Sequence, residues 1–227
     1  TNSENQYFVN WEQATFNTTE PISPSNNTVI YYDGTGTLHI SGDRWINSSL
    51  RRLFYQTTPA GILQVDVKEI ITVSPILAQE NGLAVANFSI DRLTVNADPL
   101  WGDPIFFVRD SVTVFINRAE IIFRESADAY YAKVLNNGIL HHRVNLYQQY
   151  YGNFLDLDDR AEAWINHQTN HIFFPFRNCI KIDGNSILQY QSEQEVILAG
   201  TAVLAVILVR GSLSSVQYHN SIRAIHQ

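Results

Sequence analysis

The chain has no methionine, one cysteine and few charges, and each scarcity narrows what it can be. A single cysteine, Cys179, excludes an internal disulfide, so burial has to hold the fold together. Flanked by Asn178 and Ile180 in a β-type run, that thiol reads as buried and inert. The lack of disulfides points to assembly in a reducing cytoplasm. Charged residues make up only 16% of the chain, against about 25% in an ordinary soluble domain. Either a partner covers part of the surface, or Asn, Gln, Ser and Thr make it polar instead. The net charge of −7, with no basic run longer than Arg51-Arg52, argues against direct contact with nucleic acid or an anionic membrane surface. No basic-then-apolar leader opens the sequence, and the start Thr1-Asn-Ser-Glu-Asn suits an excised initiator methionine. The longest apolar stretch, Val196 to Val209, contains Gly200 and Thr201 and is too short to span a bilayer.

What the sequence does contain is strand after strand. With 227 residues, 45% of them hydrophobic, the chain can bury a substantial core. His171-Ile-Phe-Phe-Pro-Phe, Cys179-Ile-Lys-Ile, Ser186-Ile-Leu-Gln-Tyr and Thr201 to Leu213 follow one another with turn residues such as Asp183-Gly184-Asn185 between them. The middle of the chain behaves alike: Leu63-Gln-Val-Asp-Val and Val112-Thr-Val-Phe-Ile alternate as strands with one wet face do. Val29-Ile-Tyr-Tyr and Thr37-Leu-His-Ile around Asp33-Gly34 predict a β-hairpin. Both faces of Thr201 to Leu213 are apolar, which predicts a central strand covered on both sides. Helical character is confined to residues 125–166. There Ser126 to Leu135 runs into Asn136-Asn137-Gly138 as a helix ended by glycine, and Asp158-Asp-Arg-Ala-Glu-Ala-Trp-Ile opens with acidic residues. No internal repeat is evident. The expected fold class is therefore all-β, a jelly-roll-like β-sandwich with a partly helical insertion near 125–166. Residues 1–28 form an extended N-terminal arm, and 29–227 a single sandwich domain.

Candidate chemistry is sparse. His141, His142, His167 and His171 are the nearest approach to a metal constellation, but His167-Gln-Thr-Asn-His171 lacks the glutamate of a zinc-hydrolase helix. On an extended strand the two histidines would lie about 13 Å apart. Asp156, Asp158 and Asp159 could offer oxygens to a structural calcium ion, although Arg160 and Ala161 break the EF-hand pattern. Asp33-Gly-Thr-Gly has the wrong order for an aspartic protease and suits a tight turn. Nucleophile elbows and glycine-rich phosphate loops are absent from the sequence. Four N-glycosylation patterns, at Asn17, Asn26, Asn47 and Asn87, are what chance yields in so Asn-rich a chain. The tryptophans Trp11, Trp45, Trp101 and Trp164 are candidates for sugar-stacking platforms as well as for core and interface packing.

Phe174-Pro-Phe-Arg-Asn-Cys-Ile-Lys-Ile-Asp-Gly-Asn-Ser-Ile-Leu-Gln-Tyr, followed by an apolar final strand, resembles a stretch of viral and bacteriophage jelly-roll structural proteins. The resemblance implies a self-associating sandwich in a virion shell, vertex or spike, assembled in the host cytoplasm. An acidic chain without a basic arm departs from capsid proteins that condense their own genome. The expectation is thus a non-enzymatic structural protein without an obligatory cofactor, packing against copies of itself and other virion proteins. Tyr7, Phe8, Trp11 and Phe16, set in a segment too polar to form its own core, are the expected interface. The alternatives are a carbohydrate-binding module or lectin on a β-sandwich and, third, a cupin-like metal enzyme recruiting His141, His142 or His171.

Overall fold

Every pairing between neighbouring strands is parallel, and this one fact replaces the sandwich by another architecture. The computed structural model describes residues 6–17, 28–49, 51–57, 60–79, 84–97, 103–123, 130–168, 171–174, 178–192, 196–199, 205–209, 215–219 and 222–225. They form a right-through stack of strands: β1 (Gln6–Asn10), β2 (Gln13–Phe16), β3 (Thr28–Tyr32), β4 (Thr37–Asn47), β5 (Arg52–Gln56), β6 (Ile62–Thr72), β7 (Leu77–Gln79) and β8 (Val85–Ala97). There follow β9 (Phe106–Val108), β10 (Ser111–Phe123), β11 (Tyr130–Val134), β12 (Ile139–Tyr151), β13 (Asn153–Leu157), β14 (Glu162–His167) and β15 (His171–Phe174). The last are β16 (Asn178–Ile182), β17 (Ile187–Ser192), β18 (Val196–Ala199), β19 (Ala205–Val209), β20 (Ser215–His219) and β21 (Ile222–Ile225). One sheet runs β1-β4-β6-β8-β10-β12-β14-β17-β20, and the other, of eight strands, runs β3-β5-β7-β9-β11-β13-β16-β19. From β3 to β14 consecutive strands alternate between the sheets, and beyond that each turn places two strands in the first sheet (β14 and β15, β17 and β18, β20 and β21), so the chain winds as a β-solenoid, one turn upon the next.

The winding has no strict sequence period. The chain advances by 23 residues from Ile62 to its partner Val85, but by 28 from Ser111 to its partner Ile139. Loops of unequal length absorb the difference, which is why no repeat shows in the sequence. Each long strand also turns a corner. In β6 the burial alternates through Val67, then Lys68 and Glu69 both face outward, and alternation resumes with buried Ile70. Two successive outward residues shift the phase, so the two halves of the strand line different walls. In β12 those walls separate fully, because its first half pairs with β14 and its second half with β15.

The core is a column of stacked side chains. One inward row reads Leu63, Ala86, Val112, Leu140, Ala163 and Leu188, all at 0% exposure. An aromatic spine runs beside it: Trp45, Phe54, Phe88, Phe106, Tyr131, Phe154 and Phe173, with successive ring centroids 5.3–6.1 Å apart. Buried amides hold the corners. Asn47 Nδ2 donates to Ser74 Oγ and to the Arg51 carbonyl, both at 2.7 Å, and Gln79 Nε2 donates to Gln56 Oε1 at 3.0 Å. Asn47 is therefore committed to the interior and is no glycan acceptor.

Several expectations are corrected. The jelly-roll-like sandwich does not form, since the sheets are parallel and wound. The partly helical insertion near 125–166 is absent: the described residues there, 130–166, contain β11, β12, β13 and β14 and no helix. Asn136-Asn137-Gly138 does not cap a helix. Asn136 and Asn137, at φ 55° and 64°, make the bend between β11 and β12. Asp33-Gly34 is no hairpin either, because β3 and β4 belong to different sheets. The two-faced strand expected at Thr201 to Leu213 contains β19, but its side chains and flanks lie outside the described residues.

Left-handed bends recur one above another at a single corner of the solenoid. Asn136 and Asn137, Asp159 and Arg160, and Gly184 and Asn185 all have positive φ, and Arg160 N–H donates to the Gly184 carbonyl at 2.7 Å. A Cβ on Gly184 would sit 2.3 Å from the Asp159 backbone nitrogen. Gly184→Ala should therefore cost about 2 kcal/mol or more, from the left-handed backbone and the clash together. A lowered thermal midpoint would show it, and an unchanged midpoint would contradict the close approach.

Candidate functional site

The described part of the segment expected as an extended arm, residues 6–17, lies against its own chain. β1 and β2 pair in parallel with the two halves of β4, as the first turn. Trp45 Nε1 donates to the Trp11 carbonyl at 3.0 Å, and Phe16 packs edge-on against Trp45 at 6.2 Å. Gly42 permits this seam, since a Cβ there would come within 2.3 Å of the Trp11 carbonyl oxygen. Of the four expected interface residues, Phe16 is half-buried while Tyr7, Phe8 and Trp11 stay 52%, 71% and 38% exposed. Tyr7 is the informative one. It is in register with Leu38 and hence stands in the inward row whose later members are wholly buried. It stands on β1, the last strand of the described sheet.

The candidate metal ligands do not converge. Asp156, 4% exposed, lies between Lys181 Nζ at 3.1 Å and Lys133 Nζ at 3.7 Å, one from each neighbouring turn. Asp158 Oδ1 accepts the Asp159 backbone N–H at 2.8 Å, and Asp159 is in the left-handed bend. Burial by itself lowers the Lys181 pKa, but hydrogen bonds and charge from Asp183 and Asp156 outweigh it, so the ammonium is held above its ordinary value. A lysine–aspartate–lysine ladder of this kind fixes which strand stacks on which.

The histidines also divide. His167 and His171 are on separate strands, not on one helix face. His142 and His167 point inward, with ring centroids 5.7 Å apart. His142 Nε2 lies 3.0 Å from Tyr131 Oη, and His167 Nδ1 lies 2.7 Å from Tyr190 Oη. His141 faces outward and stacks on Trp164. Among the described residues, no group of three or more His, Cys, Asp or Glu side chains is placed to hold a metal ion. Cys179 is buried, and that burial pushes its thiol well above its ordinary pKa, so it is held as the neutral thiol.

A feature the sequence did not single out is a groove of about 490 Å³ along the outer wall of β10, β12, β14 and β17. Two outward rows line it: Thr113, His141, Trp164, Gln189, and Phe115, Arg143, Asn166, Gln191. The Trp164 indole, 41% exposed, lies nearly parallel to His141, with centroids 5.9 Å apart at 26°. The Arg143 guanidinium rests 5.7 Å from the centre of the Phe115 ring. Only the winding could reveal the site, since its lining residues are brought together from four turns.

A second hollow, at the corner formed by Asp43, Asp66, Lys68 and Asp91, is lined by groups that are already paired. Lys68 Nζ meets Asp43 at 2.7 Å, Asp66 meets His39 at 2.7 Å, and Asp91 accepts from Asn117 at 2.8 Å. No helix among the described residues is long and apolar enough to cross a membrane. Comparison with known proteins found no family model that matches the chain, no similar curated protein and no similar solved structure.

Proposed function

We propose that this chain is a non-enzymatic structural protein that self-associates through the β1 end of its solenoid. The observation that supports this is Tyr7. An inward-row residue left 52% exposed at the end of a stack is apolar surface that one more turn would cover. Phe8, 71% exposed beside it, and the edge of β1, the last strand of the described sheet, extend the same surface. The occupant that fits is a second copy, its β1 set against this one about a two-fold axis, because closed two-fold pairs are the commonest homo-oligomers. Of the virion roles the sequence suggested, a spike suits a stack that grows along one axis better than a shell does.

Light scattering on the full chain should give the mass of a dimer, and Tyr7→Lys should give a monomer with an unchanged β-type circular dichroism spectrum. A native chain that stays monomeric at all accessible concentrations would overturn the reading. A Tyr7→Lys variant that associates as the native chain does would overturn it equally.

A further inference from the structure

We infer that the groove along β10, β12, β14 and β17 binds a neutral polysaccharide strand, with Trp164 as the platform for one sugar ring. Four features carry the inference, and all belong to a lateral wall separate from the β1 end. The first is the indole itself. A tryptophan 41% exposed in the groove, with His141 stacked nearly parallel on one side of it, leaves part of the indole open to a ligand. Its N–H is already engaged by Glu162 Oε1, so what remains for a ligand is the ring face, to which the C–H face of a pyranose is complementary.

The second feature is the chemistry around the ring. Gln189 beside Trp164, and Asn166 and Gln191 in the adjoining row, are amides that both donate and accept, as sugar hydroxyls do, and Thr113 adds a hydroxyl. Such a lining, apolar at one plane and polar at a few points, is how small-molecule sites set orientation. The third is charge. Arg143 is the single permanently charged side chain in the lining, and the whole chain carries −7. A polyanion, nucleic acid included, would find one cation where it needs several. The fourth is the axis. The rows run across successive turns, which in parallel sheets lie about 4.8 Å apart, close to the advance of one residue along an extended β-1,4-linked chain. A peptide has less to gain, because the wall is the face of a sheet, and the backbone groups of these strands are engaged in their ladders.

The test uses the full chain and three hexamers: β-1,4-linked glucose, β-1,4-linked N-acetylglucosamine, and galacturonate as the acidic control. Titration calorimetry and tryptophan emission should show binding of at least one neutral hexamer, at least tenfold tighter than the galacturonate. Trp164→Ala should weaken that binding tenfold or more, while Trp164→Phe, which keeps a ring, should retain most of it. Circular dichroism checks that both variants fold, which exposure of the side chain makes the expected result. Failure of both neutral hexamers to bind at millimolar concentration overturns the inference. So does galacturonate binding as tightly as they do, or a folded Trp164→Ala variant that binds as well as the native chain.

Discussion

Raising the pH above 9 should destabilise this protein steeply, because its folded state keeps protons that the unfolded chain gives up. The cause is three buried groups kept neutral. Burial pushes Cys179 above its ordinary 9.0, and burial pushes Tyr131 and Tyr150 well above their ordinary 10.0. The folded state therefore holds its protons while the unfolded chain loses them. A group raised in this way contributes fully below its unfolded pKa, and its contribution is lost as the pH climbs towards the folded value. Each group removes about 1.4 kcal/mol per pH unit across that window. Above pH 10 the three together remove about 4 kcal/mol per unit, a large share of the 5–15 kcal/mol of a typical domain. Lys181, held above 10.5 by Asp183 and Asp156 against its own desolvation, acts with the same sign. Denaturant midpoints measured from pH 8 to 11.5 should fall steeply, and Tyr150→Phe with Cys179→Ala should flatten the fall. A midpoint independent of pH over that range would show that these groups titrate normally.

Phe154→Ala should be the most damaging single truncation, at about 3–5 kcal/mol. Phe154 is fully buried where the aromatic column is densest, with Tyr150 at 5.0 Å, Phe173 at 5.3 Å, Tyr131 at 5.6 Å, His142 at 5.7 Å and His167 at 5.8 Å. Parallel ladders above and below hold the backbone in place, so the void has little room to close. In a stack of turns each turn touches only its neighbours, and damage spreads by contact. Hydrogen exchange should accordingly rise first in β11, β13 and β16, while β4 and β6 stay protected until global unfolding. Uniform loss of protection along the chain would mean that the solenoid unfolds as one unit. A loss below about 1 kcal/mol would mean that the cavity collapses.

Strand content was legible because alternation is local. Leu63-Gln-Val-Asp-Val puts Leu63, Val65 and Val67 inside, as its pattern requires. The direction of pairing was not legible, since side chains alternate with the same period whether the neighbouring strand runs parallel or antiparallel. The partly helical insertion expected near 125–166 arose from alanine and acidic residues in two short windows. Within it, however, Ala161, Ala163 and Ile165 are buried at alternate positions, a β period that the helical reading passed over. The turn residues were found but given the wrong role. Asn136-Asn137 and Gly184-Asn185 supply left-handed backbone, and whether this ends a helix or turns a solenoid corner depends on what lies one turn away.

The groove shows the same division. By itself the sequence determined that one thiol and few charges leave burial to hold the chain, but it set Trp164, His141 and Arg143 in a segment that read as partly helical. It could not separate Trp45, 0% exposed, from Trp164, 41% exposed, or inward His142 from its outward neighbour His141. The tertiary structure decided those, because the register of each strand is set by contacts 23–31 residues away in sequence. A shift of one residue in that register would turn every inward side chain outward.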